Sequence, residues 1–291
     1  MKKSTFQLPP EEAMLNPVSV MGDEKGVYFT YRSDMQSIAD IIPRPLEAAF
    51  PMVSGYIVEI NKPAFTLPYR EAMLGVYVKY GSQIGLYPVS FLLSGPGAEM
   101  ATLPGREKYG LPKKMCETEE DIQIIRVDGA VRATARRHGV TLADVSVKLD
   151  GAYNNPGAEA CYQGAANGGK SGGMSFYMHP LMEPDETGTP VFSKVNVYSN
   201  VAEYSYRTWQ PGKATVRLYS SADDPWGQLP VLENMGGAYS ENDLEMKALV
   251  KVWEADPKQA VSRLLTTRFD RLGLIGGVEK CNMQRLPNAA K

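Results

Sequence analysis

Short apolar runs, each closed by glycine, proline or a turn pair, succeed one another along most of this chain and limit what it can fold into. GVYFTYR (26–32), GYIVEIN (55–61), MLGVYVKYG (73–81) and IGLYPVSFLL (84–93) are rich in β-branched and aromatic residues and read as strands. IQIIRV and AVRATARR flank Asp128-Gly129, a two-residue hairpin signal. VTLADVSVKL, PVFSKVNVYSNV, AEYSYRTWQPG and KATVRLYSS continue the series. Two segments read as helices. SDMQSIADII (33–42) offers Ser33 as N-cap with Gln36 at capping-box spacing, and Pro43 ends it. DPKQAVSRLLTTRFDRLG (256–273) has Asp256 as N-cap, Pro257 in the first turn, an apolar stripe from Val261 to Leu272, and Gly273 as the stop. Many sequential strands with few helices imply an α+β, mostly antiparallel β architecture, a sandwich or barrel with helices at its ends.

Composition removes several function classes. A formal net charge of −2 with interspersed signs gives no electrostatic basis for binding nucleic acid or an anionic membrane. No apolar run approaches the ~20 residues of a membrane helix. The opening MKKSTFQLPPEEAML has prolines and acids where a leader needs an apolar stretch, and Cys116, Cys161 and Cys281 lie far apart. A cytoplasmic location is expected. No His/Cys/Asp/Glu group has metal-ligand spacing, so no metal and no cofactor are expected.

The stretch GAANGGKSGG (164–173) fits two motifs, G-x-x-x-x-G-K-[ST] and G-x-S-x-G. A phosphate loop needs a strand before it and a helix after it, so that backbone N–H groups and the helix dipole face the phosphates. DGAYNNPGAEACYQ before and GGMSFYMHP after supply neither. A nucleotide site would require a helix beginning at Ser171. The hydrolase reading lacks an acid between Ser171 and His179. Residues 153–175 therefore read as a flexible Gly/Asn-rich loop.

The stretch PGREKYGLPKKM (104–115) carries more chemistry. Paired lysines ordinarily form a solvated face. A lysine becomes a nucleophile only when unprotonated, which burial or a neighbouring cation promotes. This segment resembles the Schiff-base signature of the acetoacetate decarboxylase-like superfamily, in which Gly-Arg-Glu precedes Pro-Lys-Lys and an apolar residue. YRSDMQSIADIIPRPLE (31–47), YREAMLGVYVKYG (69–81) and WQPGKATVRLYSSADDPWGQLPVLE (209–233) are similar to further family segments. The resemblance implies one domain over residues 1–291, built on a cone-like closed or partly closed β-barrel with flanking helices.

It also implies roles for individual residues. Lys113 matches the Schiff-base lysine, Lys114 the neighbour that tunes it, and Glu71 an active-site carboxylate that moves protons. Arg106 and Glu107 are expected to form a supporting ion pair. Tyr56 falls where the family has a second glutamate, with Glu59 three positions on, and Met100 is a further pocket candidate. The arginine that the family places before its Tyr-Arg-x-Asp segment is missing, its neighbourhood being Asp23, Glu24 and Lys25.

If residues 113 and 114 are extended, their side chains point to opposite faces. At ~10 Å and an effective dielectric of ~20 their repulsion is ~1.7 kcal/mol, a little over one pKa unit. Burial would then have to do most of the tuning, with Lys113 among apolar groups and Lys114 nearer solvent. The function these features imply is a cofactor-free lyase that decarboxylates a β-keto acid through a lysine iminium and enamine. A Schiff-base aldolase-dehydratase acting on keto acids is the close alternative. A non-catalytic small-molecule-binding barrel is the other, favoured by an exposed Lys113. Strand edges and the resemblance imply a homo-oligomer.

Overall fold

The computed structural model describes Gln7, residues 19–166 and residues 168–271. In chain order these form β1 (Ser19–Arg32), α1 (Met35–Ile41), β2 (Glu47–Pro63), β3 (Tyr69–Tyr80), β4 (Gln83–Ser94), α2 (Ala98–Tyr109), β5 (Lys113–Met115), β6 (Ile122–Val127), β7 (Ala130–Arg137), β8 (Val140–Lys148), α3 (Ala158–Ala166), β9 (Gly169–Pro184), β10 (Pro190–Leu218), β11 (Glu233–Ala255) and α4 (Pro257–Leu264). The strands pair in the order β11-β1-β2-β3-β4-β9-β10-β8-β7-β6, and β5 lies beside β4. Pairing is antiparallel except where β4 meets β5 and β9. β10 pairs with β11 as well as with β9 and β8, which joins the start of this path to its later part. The mostly antiparallel α+β class expected from the sequence is thus observed.

The strands that position the site bury both faces, which is why they read as nearly continuous apolar runs. On β3, Ala72, Leu74, Val76 and Val78 join a cluster with Val27, Phe29 and Ile57. Tyr69 and Met73 point the other way, into a second cluster with Tyr56, Val58 and Phe91. The period-two alternation of an extended chain separates the two sets. The second cluster surrounds the cavity described below.

Several expectations need correction. The N-cap of α1 is Asp34, whose Oδ2 accepts from Ser37 N at 2.7 Å. Ser33 is buried, its N–H taken by the Pro51 carbonyl, and Gln36 bonds Asp40 instead of closing a capping box. Residues 153–175 are not a loop throughout: they contain α3 and the start of β9. The alanines of AEACYQGAA favour helix, and Ala158 and Ala165 give it a buried side. Gly164 lets α3 lie against Ser171, where a Cβ would stand 2.5 Å from the Ser171 Cβ.

Because Lys170 and Ser171 lie in a strand, no helix begins there to cradle a phosphate. Pro104 and Gly105 concealed α2, which tolerates both. The three runs between 190 and 221 proved to be one long strand, β10, bent by register shifts and changing partner from β9 to β8. The Asp128-Gly129 turn is as expected, with Val127 opposite Ala130 and Gly129 at φ +71°. No helix among the described residues is long and apolar enough to cross a membrane.

At α4 the Asp256 cap and the Pro257 start are observed, with Lys258 N donating to Asp256 Oδ1 at 2.9 Å. The helix ends at Leu264, short of the expected stop, while Leu265 and Phe269 pack on the core. Leu272 and Gly273 lie outside the described residues. Asp256→Ala removes this cap and is expected to lower stability by about 1 kcal/mol in urea melts, with the denaturant slope unchanged.

Candidate active site

Lys113 and Lys114 occupy successive positions of β5, so one side chain faces the cavity and the other the opposite side of the sheet. Lys113 is 5% exposed. Its Nζ donates to Glu71 Oε2 at 2.8 Å and lies 5.4 Å from the centre of the Phe91 ring. Glu71, on β3, is also buried, and its Oε1 accepts from the Tyr56 hydroxyl at 2.6 Å. Tyr56 therefore stands where a second carboxylate was expected and bonds the first. Burial, and then the Glu71 charge, push the Tyr56 phenol well above its ordinary range, so it remains a donor.

The pair opens on a cavity of about 220 Å³ walled by Met21, Phe65, Met73, Leu86, Tyr177 and Met246 among others. The charged residues on its wall, among the described residues, are Glu71, Lys113 and Lys108. Lys108 lies on α2 with its ammonium 4.7 Å over the Tyr109 ring. No arginine is among these wall residues, in keeping with the missing arginine of the sequence. The Gly-Arg-Glu motif contributes chiefly through Gly105: a Cβ there would sit 2.8 Å from Lys113 Cδ, so α2 rests its backbone on the lysine stem. The expected Arg106–Glu107 ion pair is not formed. Arg106 instead stacks its guanidinium 5.2 Å over Phe269. Met100 is 53% exposed and Glu59 lies between Lys25 and Arg70, so neither lines the cavity.

The expectation that Lys114 sits nearer solvent is also corrected: it is 4% exposed. Its ammonium donates to the Asp223 carbonyl at 2.8 Å and to Asp224 at 3.2 Å, and pairs with Asp270 at 3.2 Å. Arg137 bonds the same two carboxylates. Burial alone would raise the Asp270 carboxyl, but Arg137 and Lys114 outweigh it and hold it well below the ordinary range. Lys114 is thus neutralised locally, on the far side of the sheet from the cavity. Sequence spacing did not anticipate that His138, Asp223 and Asp270 come within 4.8 Å of one another, but Asp270 is committed to this ion-pair network.

One further acid was not singled out from the sequence. Glu24, on β1, is buried and accepts from the Tyr28 hydroxyl and from Asn242 Nδ2. Burial pushes its carboxyl up to about 7, with the Glu71 charge adding to the shift. Nothing in the run Asp23-Glu24-Lys25 marks its middle member as buried, and only the fold reveals that Glu24 turns inward.

The site is thus a buried lysine hydrogen-bonded to a buried carboxylate at the wall of an apolar cavity, in a mostly antiparallel α+β fold. The chain belongs to the acetoacetate decarboxylase family, whose model, described as "Acetoacetate decarboxylase (ADC)", matches residues 5–255. It is 37% identical over 254 residues to a "CLA biosynthesis isomerase" of Lactiplantibacillus plantarum, covering 86% of this chain and 89% of that one. It is 27% identical over 233 residues to "Acetoacetate decarboxylase 1" of Mesorhizobium japonicum, covering 77% and 83%. The solved acetoacetate decarboxylase of Legionella pneumophila shares the fold, with a TM-score of 0.67 at 16% identity over 84% of this chain and 93% of that one.

Two outcomes test these assignments. Asp224→Asn strips charge from the network that holds Lys114 and Arg137 and is expected to cost about 3 kcal/mol in denaturant melts, within the range for a broken buried pair. Glu24 has a folded value of about 7 against 4.5 for the free carboxyl. Between these values the folded state holds the extra proton, so the group's contribution falls as pH rises through that window. Glu24→Gln keeps both hydrogen bonds. It is expected to raise the melting temperature at pH 8 relative to the natural chain and to leave it little changed near pH 5.

Proposed function

We propose that this protein is a cofactor-free Schiff-base enzyme that moves a proton, and with it a carbon–carbon double bond, next to the carbonyl of an apolar keto compound. The observation that carries the reading is the 2.8 Å contact between Lys113 Nζ and Glu71 Oε2 at the wall of an apolar cavity. A proton passed from Lys113 to Glu71 leaves a neutral amine that adds to the carbonyl carbon. Glu71 returns that proton to the departing hydroxyl, releasing water and leaving an iminium cation and a free carboxylate. For a β,γ-unsaturated ketone the carboxylate then removes a proton from the carbon between the iminium and the double bond. The C–H electron pair forms a C=C bond to the former carbonyl carbon while the C=N pair moves onto nitrogen, giving a neutral conjugated dienamine. Protonation at the far carbon gives the conjugated iminium, and water then releases the conjugated ketone and restores the amine.

The apolar wall and the name of the Lactiplantibacillus relative support isomerisation over loss of CO2. A β-keto acid would bring a carboxylate to a wall without arginine, and one of its two lysines is already engaged by Glu71. Decarboxylation nevertheless uses the same iminium as electron sink, and the Mesorhizobium relative carries that name. It stands as the second reading.

Borohydride reduction in the presence of an aliphatic β,γ-unsaturated ketone, followed by peptide mass mapping, is expected to label Lys113. Lys113→Arg keeps the charge but forms no imine, and it should lose both the label and formation of the conjugated ketone. Glu71→Gln should retain some label while isomerisation and solvent deuterium uptake fall about 10²–10⁴-fold. Absence of label on Lys113 would remove the reading, and CO2 release from a β-keto acid without deuterium exchange in the enone would transfer it to decarboxylation.

A further inference from the structure

Asn200 is a feature that proton transfer at Lys113 does not explain. It lies on β10, is 1% exposed and lines the same cavity as Lys113. Among the described residues neither its Nδ2 nor its Oδ1 meets a hydrogen-bond partner. A buried amide left unsatisfied on both atoms is destabilising, so a chain that carries one in a cavity wall is suited to a ligand that completes it.

Strand register fixes where this amide stands. Asn200 is opposite Ser175 of β9, and Ser175 pairs with Leu86 of β4. Lys113 pairs with Phe91, further along the same strand. At ~3.3 Å per residue, roughly 16 Å of β4 backbone separates Leu86 from Phe91. Along that stretch Leu86, Pro88 and Phe91 of β4 line an apolar wall, with Ser175 and Tyr177 of β9 beside them.

We infer that Asn200 is a specificity-determining residue that docks a hydroxyl of the substrate, remote from the reacting carbonyl and joined to it by an apolar chain. A hydroxyl donates to Oδ1 and accepts from Nδ2, so it satisfies both free atoms, whereas a carboxylate only accepts and leaves Oδ1 unmet. The inference rests on the reading above in placing the carbonyl at Lys113.

Calorimetric titration with nonan-2-one and with 9-hydroxynonan-2-one tests it, using the natural chain, Asn200→Leu and Lys113→Arg. The hydroxyketone is expected to bind the natural chain about 10-fold more tightly, as two modest hydrogen bonds would give. Asn200→Leu should erase that preference while binding nonan-2-one as before, and Lys113→Arg should keep it. Ligand-free Asn200→Leu is expected to melt about 2 °C or more above the natural chain, because it removes an unsatisfied amide. Equal affinities, a preference that survives in Asn200→Leu, no binding of either probe, or a lowered melting temperature of Asn200→Leu would each overturn the assignment. A preference that persists where borohydride fails to label Lys113 would leave the Asn200 site standing and remove the imine chemistry alone.

Discussion

Two ammonium groups on adjacent residues cannot both be buried unless each finds its own counter-charge, and the extended backbone of β5 sends them to opposite faces where they do. Much of the surrounding structure follows from that separation. The Glu71 carboxylate on one face and the Asp224–Asp270 pair on the other come from three widely spaced parts of the chain. β5 is only three residues long and is tied to β4 by Phe91 N donating to the Pro112 carbonyl and Cys116 N to the Leu93 carbonyl. Isolated buried charges carry a desolvation cost of several kcal/mol each, so neither lysine is tolerable without this scaffold. The two lysines are therefore unequal in role. One faces a space where a molecule can enter, and the other ties strand β5 to the segments around Asp224 and Asp270.

That division revises how Lys114 acts on its neighbour. A tuning role through repulsion requires an uncompensated charge, and Lys114 has two carboxylates and a backbone carbonyl around it. Its contacts tie β5 to the segments carrying Asp223, Asp224 and Asp270. What surrounds the Lys113 amine is instead Glu71, aromatic rings and the backbone of α2. Glu71 in turn has one oxygen occupied by Tyr56, which leaves the other for the lysine. The Tyr56 phenol, held protonated by burial, bonds Glu71 without adding a charge to the cavity.

Much of the fold was legible because strand alternation and turn chemistry are local. Asp128-Gly129 and the Asp256-Pro257 start could be read from a few residues each, and the opposite orientations of Lys113 and Lys114 followed from the pleat alone. The failures share one cause, which is that tertiary contacts overrode local preference. Gly105 and Gly164 weaken a helix in isolation, yet each is required where its helix touches a neighbour, Lys113 in one case and Ser171 in the other. Pro104 hid α2 for the same reason. β11, with glycines near its start and several charges along its length, gave no strand signal of its own, and its pairing with both β1 and β10 makes it one. At the candidate site, Glu71 and Lys113, which the fold brings together, had been picked out through a family pattern. Glu24 and Asn200 were not, since a polar residue in a strand looks the same whether it faces water or a cavity.

The close seat of Gly105 on the lysine stem has a stereochemical consequence. With its methylenes pressed against the helix backbone and its tip fastened to a single carboxylate oxygen, the Lys113 amine is held in one direction, which under the proposed chemistry fixes its line of approach to a carbonyl. A planar adduct formed on it would present only one of its two sides to Glu71. Any carbon that exchanges hydrogen with that acid would do so with a single handedness, set by a glycine that takes no part in the reaction.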